Sequence, residues 1–116
     1  IRVLPQPAHR IPIWIGGGAE AALERALRND GYHALGPSPA EMKVIIERLR
    51  ERRPDDEFVI SARVGWDVTT MEQSAMTDAA DEFRAAGVDN LHVAPDRGDL
   101  DTWLAGQETV AKALIR

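Results

Sequence analysis

The chain has 116 residues, enough for one domain with a core and too few for two. With 44% apolar residues, 28% charged residues and a net charge of −5, it has the balance of a globular domain and no basic stripe for a nucleic acid. The absence of cysteine excludes disulfides, thiolate nucleophiles and cysteine-held zinc, and no apolar run nears the ~20 residues of a membrane span. No basic head followed by an apolar stretch marks a secretory signal, so a cytoplasmic setting is expected.

Residues 1–10, with Pro5 and Pro7, read as a leading loop before one domain over 11–116. Ile11, Ile13 and Ile15 alternate with Pro12, Trp14 and Gly16, the period of a strand that runs into Gly16-Gly17-Gly18. Ala22, Leu23, Ala26 and Leu27 then take helical spacing, which predicts a helix over 19–28. Asp30-Gly31 punctuates, and 32–36 reads as a second strand. Ser38 suits an N-cap and Pro39 a first helical turn, with Met42, Ile45, Ile46 and Leu49 as the apolar stripe of a helix that stops near Pro54. Arg48, Arg50, Arg52 and Arg53 close that helix, where cations in water complement its dipole.

The third strand is the clearest. Phe58, Ile60, Ala62, Val64, Trp66 and Val68 share one face; Val59, Ser61, Arg63, Gly65 and Asp67 share the other. Thr70 and Gln73 have capping-box spacing for a third helix ending at Gly87. Residues 88–94 read as a fourth strand closed by Pro95. A last helix carries Leu100, Trp103, Leu104, Val110, Ala111 and Leu114 as its core stripe, with Gly106 inside it at a cost of about 1 kcal/mol.

Strands alternating with helices over short connections make a parallel sheet by right-handed crossovers. Four units in 116 residues amount to half of the roughly 250 residues of a closed (β/α)8 TIM barrel, so the expected fold is α/β, a half-barrel. The polar groups of Ser61, Arg63 and Asp67 favour a barrel interior opening on a pocket over a strand sandwiched between helices.

Three glycines before a helix let the backbone approach a ligand closely, and the first-turn amides favour an anion. The same sequence also serves as a plain strand-to-helix turn. Ala21 breaks the G-x-G-x-x-G dinucleotide pattern, and no Gly-Lys-Ser/Thr is present. Glu20 near the helix start counts mildly against phosphate unless it points outward.

The stretch Ile11-Pro-Ile-Trp-Ile-Gly-Gly-Gly-Ala-Glu-Ala-Ala-Leu-Glu-Arg-Ala-Leu-Arg and then Asp30-Gly31-Tyr32 resembles the luciferase-like monooxygenase superfamily, in particular its F420-dependent branch. Ser38-Pro39-Ala-Glu41, Ile60-Ser-Ala-Arg-Val64 and Phe83-Arg-Ala-Ala-Gly-Val-Asp-Asn-Leu91 fit it in the same order, so the resemblance runs from about Val3 to the end. It implies a barrel that binds coenzyme F420 or FMN at the C-terminal ends of its strands. The cofactor phosphate would lie on Gly16, Gly17, Gly18 and Ala19, with Ala21 and Ala22 in the next turn. Catalytic residues are implied on N-terminal strands that this chain does not contain. One departure is a segment before Asp30-Gly31 that is one residue shorter than the usual pattern, which leaves the end of that helix open.

Arg63, on the interior face, and Arg97, after the fourth strand, are the candidate substrate residues, each weighed against an ion pair or a surface arginine. His9, His33 and His92 show no ligand spacing, so no metal site is expected; His33 and His92 read better as satisfied core histidines. Trp14 suits a pocket wall or the core, and Trp103 the core.

The expectation is thus part of a flavin- or F420-dependent oxidoreductase acting on a small organic substrate, this half holding the cofactor phosphate and inactive alone. Its expected partners are an N-terminal half-barrel or a second copy in a homo-oligomer, with no nucleic acid and no membrane. The alternative is a non-catalytic half-barrel that binds a phosphorylated small molecule or self-associates through its sheet edges. A phosphate-binding (β/α)8 enzyme of another family is a third reading.

Overall fold

The computed structural model describes residues 6–95 and 98–115. Strands and helices alternate: β1 (Trp14–Gly16), α1 (Glu20–Ala26), β2 (Gly31–Leu35), α2 (Pro39–Arg52), β3 (Val59–Trp66), α3 (Gln73–Ala85), β4 (Asn90–Pro95) and α4 (Leu100–Leu114). All pairings are parallel and the spatial order is β1-β2-β3-β4. A doubly wound sheet reverses its order at a switch point. Here no reversal occurs, and the four units make half of a (β/α)8 barrel.

The two faces of the sheet live in different surroundings. Tyr32, Ala34, Ile60, Ala62, Val64 and Trp66 face the helices and are buried against Leu23, Ala26, Met42, Ile46, Leu49, Met76 and Phe83. Each large apolar side chain so buried contributes about 1.5–3 kcal/mol. The other face holds Leu35, Arg63, Gly65 and His92, all exposed in this chain. This is the division that alternation along β3 predicts.

Local signals set most element ends. Ser38 accepts from the Glu41 N–H at 3.2 Å while Glu41 accepts from the Ser38 N–H at 2.7 Å, a full capping box with Pro39 as the first helical residue. Those Ser38 hydrogen bonds hold the Glu41 carboxyl below its usual range. α3 ends in a Schellman turn, with Gly87 N–H donating to Arg84 O and Val88 N–H to Phe83 O. Asp99 caps α4 by accepting from the Thr102 N–H at 2.9 Å.

Several expectations need correction. β1 is three residues long, and Ile11 and Ile13 lie before it, 64% and 51% exposed. Pro95 lies within β4 as its last residue. α1 stops at Ala26, because Arg28 and Asn29 turn back onto Arg25 and Ala26 in 3₁₀ fashion. The Thr70–Gln73 box does not form: Glu72 precedes α3, and the Thr70 N–H and hydroxyl both donate to Asp67 O in a turn. Leu100, Trp103 and Leu104 are exposed at 68%, 41% and 50%; only the later part of the α4 stripe reaches the core. Gly106 earns its place in α4 by contact, since a Cβ there would lie 2.9 Å from Pro95 Cβ and 3.1 Å from Val68 Cγ2.

The arginines ending α2 also do more than sit in water. Arg48 pairs with Glu20, Arg50 with Asp89, Arg52 with Glu24 and Arg53 with Asp55. Arg53 further donates to Leu27 O and Asn29 O, both at 2.9 Å, and lies over the Phe58 ring at 4.8 Å. That guanidinium fixes the turn between α1 and β2. Among the described residues, no helix is long and apolar enough to cross a membrane.

Candidate functional site

The corner after β1 is built from the inside out. Tyr32, 1% exposed on the helix side of β2, donates its hydroxyl to Gly17 O at 3.1 Å. Burial raises its pKa, so the phenol stays protonated as a donor. Gly17 has φ 120°, a conformation side chains rarely adopt, and a Cβ there would lie 3.2 Å from Ala22 Cβ. Ala22 is buried, and its N–H bonds Ala19 O at 2.8 Å, so it closes the corner from beneath.

Gly16, Gly18, Ala19 and Ala21 are exposed around this bend. The N–H groups of Gly18, Ala19, Glu20 and Ala21 donate to no carbonyl among the described residues, as expected where a helix begins. α1 has seven residues and adds little dipole field. What the corner offers is the amides themselves. Glu20 does not compete, because Arg48 on α2 holds its two carboxylate oxygens at 2.8 and 2.9 Å.

Beside the corner lies a cleft of about 540 Å³ bounded by Gly17, Gly18, Tyr32, Gly36, Glu41 and Val44. Leu35 and Val44, 66% and 60% exposed, add apolar wall. The Glu41 carboxylate in this wall is already engaged by Ser38.

On the concave face the strand register stacks residues in layers, as a barrel interior does. Trp14 lies level with Gly31 and Val59; Gly16 with His33, Ser61 and Asn90; Leu35 with Arg63 and His92; Gly65 with Ala94. Trp14 thus faces the interior over Gly31, and its buried indole N–H finds no acceptor among the described residues. His33 Nδ1 and the fully buried Ser61 Oγ are hydrogen-bonded at 2.9 Å, and the His33 and His92 rings meet edge to face at 5.4 Å. Desolvation, then His92 and Arg63, hold the His33 pKa below its usual value. His33 is therefore the satisfied histidine expected, whereas His92 is exposed.

Arg63 opens into a concavity of about 250 Å³ with Leu35, Gly36, Gly65 and Ala94 at the C-terminal end of the sheet. Its side chain pairs with no carboxylate among the described residues. Asp67 lies past the end of β3 and is turned onto Thr69, accepting from that residue's N–H at 3.0 Å. Arg97 lies outside the described residues. No cluster of metal-binding side chains occurs among the described residues.

Two contributors were not legible as such. Tyr32 stood in the Asp30-Gly31-Tyr32 motif, but its bond to Gly17 needs the β1–β2 register; Ser61 needed the β2–β3 register to reach His33. Tyr32→Phe is expected to cost about 1 kcal/mol of stability, the net worth of one hydrogen bond. Urea unfolding beside ligand titration checks this, with ligand affinity at the glycine corner falling too; unchanged values for both would remove Tyr32 from the site.

Comparison with known proteins adds identity to this geometry. A family model described as luciferase-like monooxygenase matches residues 1–114. Uncharacterized proteins of Mycobacterium tuberculosis and Mycobacterium bovis are each 32% identical over 128 residues, covering 98% of this chain and 41% of theirs. The chain thus spans about two fifths of the length of these curated relatives.

Proposed function

From the premise that the chain belongs to the luciferase-like monooxygenase family, we propose that it forms the cofactor-phosphate half of an F420- or FMN-dependent oxidoreductase acting on a small organic substrate. The observation that carries this reading is the run of uncommitted N–H groups from Gly18 to Ala21, opening beside the 540 Å³ cleft.

The corner fits an anionic group. A Cβ on Gly18 would meet nothing within 4 Å, so this is open space beside the backbone. Gly16, Gly17, Gly18, Ala19 and Ala21 would hold the phosphate, with Ala22 packing the turn from below. Tyr32 keeps the Gly17 carbonyl turned into the protein, leaving the amides to the ligand. Arg48 engages the Glu20 carboxylate and Ser38 the Glu41 carboxylate, so neither is free to repel an anion. Leu35 and Val44 offer apolar cover for the rest of the molecule, which excludes water and strengthens the amide contacts. When bound, the cofactor supplies the hydride transfer or oxygen activation; the protein supplies position and electrostatics.

Arg63 faces the interior, where a substrate of such a barrel sits, and Arg97, outside the described residues, follows β4 in sequence as a second candidate. The groups that act on the substrate would come from strands outside this chain, supplied by the rest of a longer protein or by a second copy. Either would also cover the open edges of β1 and β4.

Fluorescence titration of the full-length protein with F420 and with FMN tests the reading. Saturable binding of one of them is expected. If neither binds, the oxidoreductase assignment falls and a module for phosphorylated small molecules takes its place.

A further inference from the structure

Six of the described arginines are paired with carboxylates, all of them off the concave face: Arg10, Arg48, Arg50, Arg52, Arg53 and Arg84. Arg25, Arg28 and Arg63 are not so paired, and of these three Arg63 is the one on the concave face. It lies level with His92, which in turn meets the His33 ring at 5.4 Å. Ser61, 0% exposed, binds His33 at Nδ1 and so sets which ring nitrogen is left for other partners.

Among the described residues Arg63 has no carboxylate partner on this face. β1 contributes Trp14 and Gly16, β2 adds Leu35, and β4 adds Asn90. No carboxylate lies on the concave face of the four strands among the described residues. Among the described residues, Arg63 is the charged side chain on the concave face of the four strands, and it gives that face a local positive field in a chain of net charge −5. The concavity over Arg63 is lined by Leu35, Gly36, Gly65 and Ala94, so small residues leave room on one side of the guanidinium and Leu35 bounds the other. A Cβ on Gly65 would find only Ala94 O, at 3.9 Å.

We propose that Arg63, His92 and the Ser61-held His33 form a pH-dependent binding site for the acidic group of the substrate, a carboxylate or a phosphate ester. Arg63 grips the oxygens in its planar fork. The histidines add charge only when protonated, so binding strengthens as pH falls. His33 is kept neutral by desolvation, by His92 and by Arg63, in that order. An anion placed among them offsets the repulsion from His92 and Arg63 and draws a proton onto the ring. This deepens the oxidoreductase reading, on which it rests for the substrate, by naming that substrate as an organic acid or its phosphate ester.

The test follows the His33 and His92 Cε1–H NMR signals of the full-length protein. Acetate stands for a carboxylate and sulfate for a phosphate ester, each against chloride at equal ionic strength. Saturable shifts with either oxyanion are expected, together with a rise in the His33 pKa, and the stronger of the two identifies the acidic group. Affinity should be about tenfold higher near pH 5.5 than near pH 7.5, as His33 takes up a proton beside the bound anion. Arg63→Gln should weaken binding about tenfold or more, the loss of a charged hydrogen-bond partner. The native protein's own titration carries the test whether or not that variant folds. Shifts equal to those with chloride, affinity independent of pH, or full affinity in Arg63→Gln would overturn the proposal. The probes need no cofactor, so failure here leaves cofactor binding standing, and failure of cofactor binding leaves this site standing.

Discussion

Gly31→Ala is expected to destabilise the protein by about 3 kcal/mol, at the upper end of overpacking costs. The added Cβ would sit 2.5 Å from the Val59 carbonyl oxygen, 2.9 Å from Trp14 Cδ1 and 3.2 Å from Trp14 Cγ. Trp14 could swing aside, but Val59 O cannot, because it belongs to the backbone at the start of β3 beside β2. Relief therefore requires β2 to move, and β2 carries Tyr32 and the packing around it. Against a total stability of order 5–15 kcal/mol, this is a large fraction. Urea unfolding followed by tryptophan fluorescence reads it directly. A midpoint within about 0.5 kcal/mol of the native value would show that the tight β1–β2–β3 approach is wrong.

The second large effect separates binding from folding. Gly18→Ala adds a methyl group into open space, so its stability is expected to change by less than about 0.5 kcal/mol. That methyl occupies open space beside the backbone, where the proposed phosphate would approach the amides of Gly18 to Ala21. Cofactor affinity is expected to fall about tenfold or more, the loss of one charge-assisted contact. Gly17→Ala should behave differently. Its φ of 120° and the 3.2 Å approach to Ala22 Cβ make it lose about 1–3 kcal/mol of stability as well as affinity. Parallel urea and fluorescence titrations of the two variants distinguish these outcomes. If Gly18→Ala binds cofactor like the native protein, the corner does not hold the phosphate.

The order and type of all eight elements were legible in the sequence, because helix and strand periods switch cleanly from segment to segment. β3 was the clearest case: alternation from Phe58 onward separated the helix face from the interior face. Ser38, Pro39 and Glu41 announced α2 because that cap is made within four residues. What failed depended on contacts the spacing does not contain. Thr70 was available for a turn with Asp67 and took it, moving the start of α3. The apolar stripe of α4 shows which side of that helix favours burial, and in this chain Leu100, Trp103 and Leu104 extend past what the sheet covers. The arginines of α2 read as solvated because their carboxylates come from distant segments, Glu20, Glu24 and Asp89. Of the candidate site, the glycine corner and Arg63 are readings of local pattern and family resemblance. The Tyr32 tether and the Ser61–His33 pair are not, since both are products of strand register.

Spatial order that copies chain order has a kinetic consequence. Every ladder here closes a loop of one unit, so assembly requires no distant search and the entropic cost of each pairing is small. β2 and β3, bonded on both edges, form the natural seed, and the flanking strands zip on from either side. Growth by addition to the outermost strand is the same step whether the next segment comes from this chain or another.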